Sequence, residues 1–289
     1  MKIAIVGASG LVGSSLMEDI SPGMGKGCQV IGTYHQHAFG GGVRLDITDR
    51  EEIRKFIASY LPDVLIWLAG SKELALLEKK PELSRALNEQ PIADLAEILR
   101  TGHFATKVIY VSSDYVFDGN RGGYTVGDIR APDTIYGRSK VYAEDLLAAS
   151  GIDCVSLRTS AIMNAKGGFF GWLLGQIKGG RDINLYANTI FSPTSSISFN
   201  RAIVRIIQEA LWGGVLHFAG IGMSRYHFGR KIAGLLLEDV HRISPATADI
   251  AHSTFHSNFS LVTSGELHDL IPGDAELLLE LSRYDQICR

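Results

Sequence analysis

The sequence is short of cysteine, of surplus charge and of long apolar runs, and each shortage removes a class of protein. Its three cysteines, Cys28, Cys154 and Cys288, are far apart and odd in number. They give neither a disulfide framework nor a metal-ligand spacing, and no metal is expected. The apolar, strand-like surroundings of Cys28 and Cys154 read as sites for small core fillers. A formal net charge of -3 leaves no basic surplus to hold a phosphate polymer or an anionic membrane, so neither nucleic acid nor a membrane is an expected partner. No apolar run reaches bilayer length, and an apolar strand follows Met1 within one residue where a leader would need a charged region; both point to the cytoplasm. Repeats and low-complexity linkers are missing as well. Ser21 to Gly27 and Gly40 to Gly42 read only as Gly-rich loops.

What is present is alternation. Strand patterns at Lys2 to Val6, Gln29 to Tyr34, Val43 to Leu45, Asp63 to Leu68, Lys107 to Ser112 and Asp153 to Leu157 are separated by helical patterns. Those helices run near Leu11 to Ile20, Asp49 to Tyr60, Pro81 to Arg100 and Tyr136 to Ala149. Thr48 and Glu51 have the spacing of a capping box for the second helix. The first strand breaks on Gly7, and Gly7, Gly10 and Gly13 open straight into a helix. This is the order that seats a pyrophosphate: the first glycine for the turn, the second for close approach, the third for helix packing, with free N–H groups facing the anion. Ser9, Leu11 and Val12 complete the candidate seat, whose plainer reading is an ordinary Gly-rich turn.

The pattern predicts an α/β fold, a Rossmann-type doubly wound parallel sheet over residues 1–160. Residues 161–289 change rhythm and read mainly as a smaller C-terminal substrate-binding lobe, with about 198–220 returning to the first domain. In this half Gly167 to Lys178, Asn200 to Trp212 and Tyr226 to Leu237 read as helices and Gly214 to Phe218 as a strand, while the last fifty or so residues show weak periodicity.

The second constellation is Tyr136 and Lys140, four residues apart at a helix start and so on one face. A lysine cation favours a neighbouring phenolate and brings a phenol toward working pH as an acid, although an isolated pair at this spacing is as readily simple packing. Ser113, at the end of a central strand, is placed to polarise a carbonyl that Tyr136 protonates. Leu68, Ala69 and Gly70, ending the preceding strand, give a small, flat wall for a nicotinamide and its ribose.

With these motifs the chain resembles the extended short-chain dehydrogenase/reductase superfamily, and within it the dTDP-4-dehydrorhamnose reductase-like family of nucleotide-sugar ketoreductases. The resemblance runs from Met1 to about Lys231. It rests on the glycine turn, Leu45 to Asp49, Pro81 and Glu82 with Asn88, Ser112 to Gly119, Tyr136 to Lys140 with Glu144, Arg158 to Ser160, and Ser192 to Thr194. It implies that Asp46 and Ile47 hold an adenine, that Ser113, Tyr136 and Lys140 are catalytic, and that Lys140, Ser112 and Thr159 also meet the cofactor. On the substrate side it implies Ser71, Asp114, Tyr115, Ser160, Ala161, Phe191 and Pro193. A nucleotide sugar is the implied small-molecule partner, and a homodimer is compatible. Plainer readings stand beside the accessory roles: Asp46 as a helix-start acid, Glu144 as a surface partner of Lys140, and Ser192 to Thr194 as a turn.

Three positions depart from the family. Ala161 replaces the usual tryptophan, Ala75 an expected Asp, and no acid follows Ser192 to Thr194 in the segment before Asn200. Phe169, Phe170 and Phe191 are the candidates to fill the space of the missing indole. Thr33, His35 and His37 stand at the end of the second strand where an NAD-selective site carries a carboxylate, so NADP(H) is the preferred cofactor, with NAD(H) also accommodated. Asp114 and Tyr115 replace the Asp-Glu that follows the catalytic Ser/Thr in sugar 4,6-dehydratases. A sugar 4-epimerase and a non-catalytic dinucleotide-binding subunit similar to the β-subunit of methionine adenosyltransferase remain as rivals.

Overall fold

A computed structural model describes residues 1–25, 27–164, 166–250 and 256–287. Cys288, one of the cysteines read above, lies outside the described residues. Contacts divide the chain into two units. The first holds Met1–Phe117, Ile129–Arg158 and Asn200–Leu216, and the second holds Asp118–Asp128, Thr159–Phe199 and His217–Arg289.

The first unit begins with β1 (Lys2–Val6), α1 (Leu11–Met24), β2 (Gln29–Tyr34), β3 (Val43–Arg44), α2 (Arg50–Tyr60) and β4 (Val64–Trp67). After β4 come α3 (Leu74–Lys79) and α4 (Pro81–Ser84), then a wide π turn at Arg85–Glu89 and α5 (Gln90–Thr101). β5 (Lys107–Ser113), a 3-10 turn (Asp114–Val116), α6 (Ile135–Ala149) and β6 (Cys154–Thr159) complete this part. β1 pairs in parallel with both β2 and β4, β4 with β5, and β2 with β3. Residues buried in these strands are apolar on both faces, as a sheet covered by helices on each side requires. One core cluster joins Val6, Leu65, Trp67 and Tyr110 of the strands to Phe56, Leu95, Leu99 and Leu147 of the helices.

Several elements differ from the sequence reading. α1 continues through Ser21 and Pro22 to Met24, where a loop was expected. Asp49 is the N-cap of α2, its carboxylate accepting the Glu51 and Glu52 N–H groups at 2.8 and 3.2 Å, while the Thr48 hydroxyl donates to Asp46 Oδ1 at 2.7 Å. The capping box therefore does not form. The helix expected over Pro81 to Arg100 is interrupted by the π turn, and α3 precedes it without a sequence signal.

The second unit contains β7 (Ile162–Met163), α7 (Gly168–Lys178), β8 (Ile183–Tyr186), β9 (Ile190–Phe191) and β10 (Thr194–Ser195). α8 (Ser196–Gln208) and β11 (Val215–Phe218) carry the chain back to the first unit, and Asn200 bonds there to Ser15 Oγ and Asp19 Oδ2. The sheet is seven-stranded, in the order β11-β6-β5-β4-β1-β2-β3. β12 (Met223–Ser224), α9 (Arg225–Leu235), β13 (Ile243–Ala246) and α10 (Asp274–Ile287) follow. Phe170, Leu173, Phe191, Phe228, Ile232 and Leu281 form the core of the second unit. α10 was not legible in the sequence. Its buried Glu280 accepts the Ser195 hydroxyl at 2.9 Å and the Ile197 N–H at 2.8 Å, so the carboxylate missing after Thr194 is supplied to the start of α8 from the far end of the chain. Among the described residues no helix is long and apolar enough to cross a membrane.

Candidate active site

The glycine turn is built as its spacing requires. Gly7 has φ 91°, and a Cβ there would lie 2.9 Å from the Ala69 nitrogen. A Cβ on Gly13 would stand 2.6 Å from Ala8 Cα and collide with the Gly7 carbonyl oxygen, so only glycine lets α1 start this close to β1. Gly10 is the N-cap of α1 and makes no side-chain cap bond. Ser9 and Val12 are half-buried and Leu11 is exposed at the same turn. Leu68 is held by the bond from its N–H to the Val6 carbonyl at 2.9 Å, and the Trp67 indole N–H donates to Ala69 O at 3.1 Å, fixing the loop that ends in Gly70.

At the end of β2 the reading changes. Thr33 is buried and its hydroxyl accepts the Gly7 N–H at 3.2 Å, which makes it a support for the glycine turn and not a donor held out to a 2′-phosphate. His35 is half exposed with Nε2 3.5 Å from Asp46 Oδ2, so a carboxylate does stand near this position, delivered from another segment. Hydrogen bonds from the Thr48 hydroxyl and N–H, with His35 beside it, hold the Asp46 carboxyl below its ordinary range. Ile47 packs half-buried against the core. Register also sets Arg44 opposite Tyr34, with its guanidinium 3.1 Å from Glu52. The sequence showed no arginine here because strand pairing, not proximity along the chain, brings it in.

Ser113, Tyr136 and Lys140 come together on the first unit. Ser113 ends β5 and its hydroxyl donates to Asp114 Oδ1 at 2.8 Å and accepts the Tyr115 N–H at 3.3 Å, beside the Tyr136 phenol. The Tyr115 ring meets that of Tyr136 edge-on, centroids 5.7 Å apart. Lys140 is buried; Nζ donates to the Val111 carbonyl at 3.0 Å and lies 4.7 Å from the Tyr110 ring and 5.6 Å from the Tyr136 ring. α6 starts where it does because Thr134 caps it, its hydroxyl accepting the Gly137 N–H at 3.0 Å, and because Glu78 of α3 accepts the Ile135 N–H at 2.6 Å.

The expected electrostatics are corrected by burial. Desolvation pushes the Tyr136 phenol well above its ordinary value, only partly offset by the neighbouring Ser113 hydroxyl, and Asp114 and Tyr115 push the same way. Lys140 does not bring the phenol down; the low-dielectric surroundings lower Lys140 itself to about 8, against the opposing pull of Glu144. In this state the pair is a protonated acid beside an ammonium that is easily lost.

Ser112 is not presented to a cofactor by its hydroxyl, which donates to Glu144 Oε1 at 2.5 Å. Glu144 is buried, with Arg158 at 2.7 Å and Arg130 at 3.2 Å, so it is not a surface partner of Lys140. Asn88, in the π turn, accepts the Ser71 N–H at 2.7 Å and donates to Ser71 O and to Ser139 Oγ, whose hydroxyl in turn donates to the Tyr136 carbonyl at 2.7 Å. This chain of bonds from the β4 loop to α6 was missed at the sequence level, where Asn88 was only a motif letter.

The remaining substrate-side candidates belong to the second unit. Thr159, read above as a cofactor contact, is buried and its hydroxyl has no hydrogen-bond partner among the described residues, and Ser160 Oγ accepts the Ser192 N–H at 3.2 Å. Ala161 is exposed, while Phe191 and Pro193 are buried. Phe170 and Phe191 pack in the core of the unit, and Phe169 lies half-buried between Trp172 and Arg225. Ala75 is exposed on α3. Cys154 is buried and Cys28 half-buried, both with free thiols that burial pushes up.

The chain is 28% identical over 253 residues to a dTDP-4-dehydrorhamnose reductase of Mycolicibacterium smegmatis, a match covering 86% of this chain and 73% of that protein. It is also 28% identical to the β-subunit of methionine adenosyltransferase 2 of Rattus norvegicus, but over only 54% of this chain and 46% of the relative. A crystal structure of a dTDP-4-dehydrorhamnose reductase from Clostridium acetobutylicum is similar at a TM-score of 0.82 and 25% identity, covering 100% of this chain and 99% of that one. The family model described as the RmlD substrate binding domain matches residues 1–267, and the chain belongs to that family.

Proposed function

We propose that the protein is an NAD(P)H-dependent reductase acting on the 4-keto group of a nucleotide-activated deoxy sugar. The observation that supports this most is the grouping of the Ser113 hydroxyl, the Tyr136 phenol and the buried Lys140 ammonium at the end of β5. The glycine turn fits a dinucleotide pyrophosphate, since its glycines leave no room for a Cβ at Gly7 or Gly13 and the N-cap of α1 makes no side-chain cap bond. Gly7 to Gly13 would hold the pyrophosphate, Asp46 and Ile47 the adenosine end, and Lys140 the nicotinamide ribose. When bound, the reduced cofactor supplies the hydride to the carbonyl carbon. Ser113 turns its hydroxyl from Asp114 to the carbonyl oxygen, and Tyr136, kept protonated by burial, donates its proton there.

NADPH is the favoured form in this reading, because β2 itself ends without a carboxylate and Arg44 stands across from Tyr34. Asp46 near His35 opposes that preference and makes it modest. Fluorescence titration with both cofactors tests it: NADPH binding at least as tightly as NADH agrees, and clear selectivity for NADH contradicts it and favours the epimerase. With Ala161 and Ala75 on the substrate side, an activated keto sugar other than dTDP-4-dehydrorhamnose gives the highest kcat/KM, and the reaction is set in the cytoplasm. Turnover of a panel of nucleotide-bound keto sugars tests the reading as a whole.

A further inference from the structure

Behind the candidate catalytic groups lies a buried ionic clamp that none of the assigned roles uses. Glu144 stands one turn beyond Lys140 on α6. Its Oε1 accepts Ser112 Oγ at 2.5 Å and Arg158 Nε at 3.0 Å, and its Oε2 accepts Arg158 Nη2 at 2.7 Å and Arg130 Nη1 at 3.2 Å. Arg158, from β6, is 2% exposed and lies over the Phe117 ring at 5.3 Å, while Arg130 is also neutralised by Asp145 at 2.7 Å. Ser112 precedes Ser113 in β5, so the clamp grips the strand that carries one member of the group and the helix that carries the other two.

We propose that Glu144 is a positioning residue of the reduction: through Ser112 and Arg158 it locks the helix of Tyr136 and Lys140 to the end of β5, and it sets a negative charge one turn from Lys140 on the same helix. The proposal rests on the reaction assigned above. The groups around Lys140 make the role specific. On α6 it lies 5.6 Å from the Tyr136 ring, with Glu144 one turn further along the helix, and from β5 it meets the Tyr110 ring and the Val111 carbonyl; Arg158 of β6 and Arg130 pair with Glu144, and Asp114 acts on Tyr136. With Glu144 neutralised, Lys140 loses the negative charge one turn along its helix, and unlike Arg158 it is able to release a proton.

The test is Glu144→Gln with two readouts. In cofactor-free protein carrying labelled lysine, the Lys140 Cε resonance, assigned with Lys140→Arg, titrates with a midpoint about one pH unit lower than in the wild type. In the holoenzyme the basic limb of kcat/KM moves down by the same amount, a roughly tenfold loss at a fixed pH on that limb. A clamp that is only a fold staple lowers turnover without moving either midpoint, and that result overturns the proposal. Should the single variant fail to fold, Glu144→Asp withdraws the carboxylate from Lys140 by one methylene, and its Lys140 midpoint is lowered by a smaller amount; an unchanged midpoint overturns the proposal here too. Wild-type protein that reduces no keto sugar while the Lys140 midpoint still moves would refute the reaction and leave the coupling standing.

Discussion

Replacing Gly137 by alanine probes the geometry of the site with a single methyl group. Gly137 follows Tyr136, and the backbone of α6 there runs against the 3-10 turn that follows Ser113. A Cβ on Gly137 would penetrate the Tyr115 carbonyl oxygen and stand 2.9 Å from Pro132 Cβ and 3.1 Å from Thr134 Oγ1. The oxygen is backbone and cannot rotate away, so reaching an ordinary contact near ~3.5 Å requires α6 or the turn to retreat by about 1 Å. Overpacking of this kind costs about 1–3 kcal/mol of stability. The larger effect is on chemistry, because a displacement of about 1 Å between Ser113 and Tyr136 lowers kcat about a hundredfold. Dinucleotide affinity falls much less than kcat, since the glycine turn of β1 and α1 is not touched and only Lys140, on α6, is displaced. Steady-state turnover, cofactor titration by fluorescence and thermal unfolding measure the three quantities separately. A folded Gly137→Ala protein with wild-type kcat would refute the reasoning, because it would show that the close approach of α6 to the Tyr115 carbonyl does not set the catalytic spacing.

Three further outcomes follow from the same structure. Lys140 is lowered to about 8 in the folded chain, whereas an unfolded lysine titrates near ~10.4, so between those values the unfolded chain binds more protons and stability rises with pH. The rise amounts to at most about 3 kcal/mol, and denaturant melts of wild type and Lys140→Met over this window should show the slope only in the wild type. Tyr110 and Tyr136, both raised by burial, act in the opposite direction above their unfolded values, so the comparison belongs below pH ~10. Glu280→Ala removes the acceptor for Ser195 Oγ and for the Ile197 N–H and should cost about 1–3 kcal/mol, read as a lower Tm; an unchanged Tm would mean that water replaces the cap. Gly13→Ala has no free space against Ala8 and Gly7 and should abolish measurable dinucleotide binding or folding itself, while retained tight binding would contradict the assigned seat.

The parts of the fold that one segment determines were readable from the sequence. β1, its glycine turn and the start of α1 are an apolar run, three spaced glycines and a helical pattern in immediate succession, and Tyr136 with Lys140 needs only the helix period. What escaped depends on partners far away in the chain. The cap of α2 passed from Thr48 to Asp49 because Asp46 takes the Thr48 hydroxyl, a choice between neighbours that spacing does not resolve. The π turn at Asn88 adds one residue to a turn, which a periodic pattern does not register, and its reason is the buried amide that serves Ser71 and Ser139. α10 was hidden because Leu278 and Leu279 are exposed while Glu280 is buried, an inversion of the usual amphipathic rule imposed by the start of α8. The acidity of Tyr136 was misjudged for the same reason: the sequence shows the lysine four residues away, but burial, which outweighs it, is a property of the packed sheet.

The central claim is that Tyr136 gives a proton to a sugar carbonyl while the chain holds a reduced dinucleotide. The most direct test follows NADPH oxidation by wild type and Tyr136→Phe across nucleotide-bound 4-keto sugars, with NADPH affinity measured on both proteins. The account predicts turnover of at least one such sugar by the wild type, a fall of about a hundredfold or more in Tyr136→Phe, and equal NADPH affinity in the two. Wild-type protein that binds NADPH but oxidises it with none of these sugars, or a Tyr136→Phe variant that turns over normally, would contradict it.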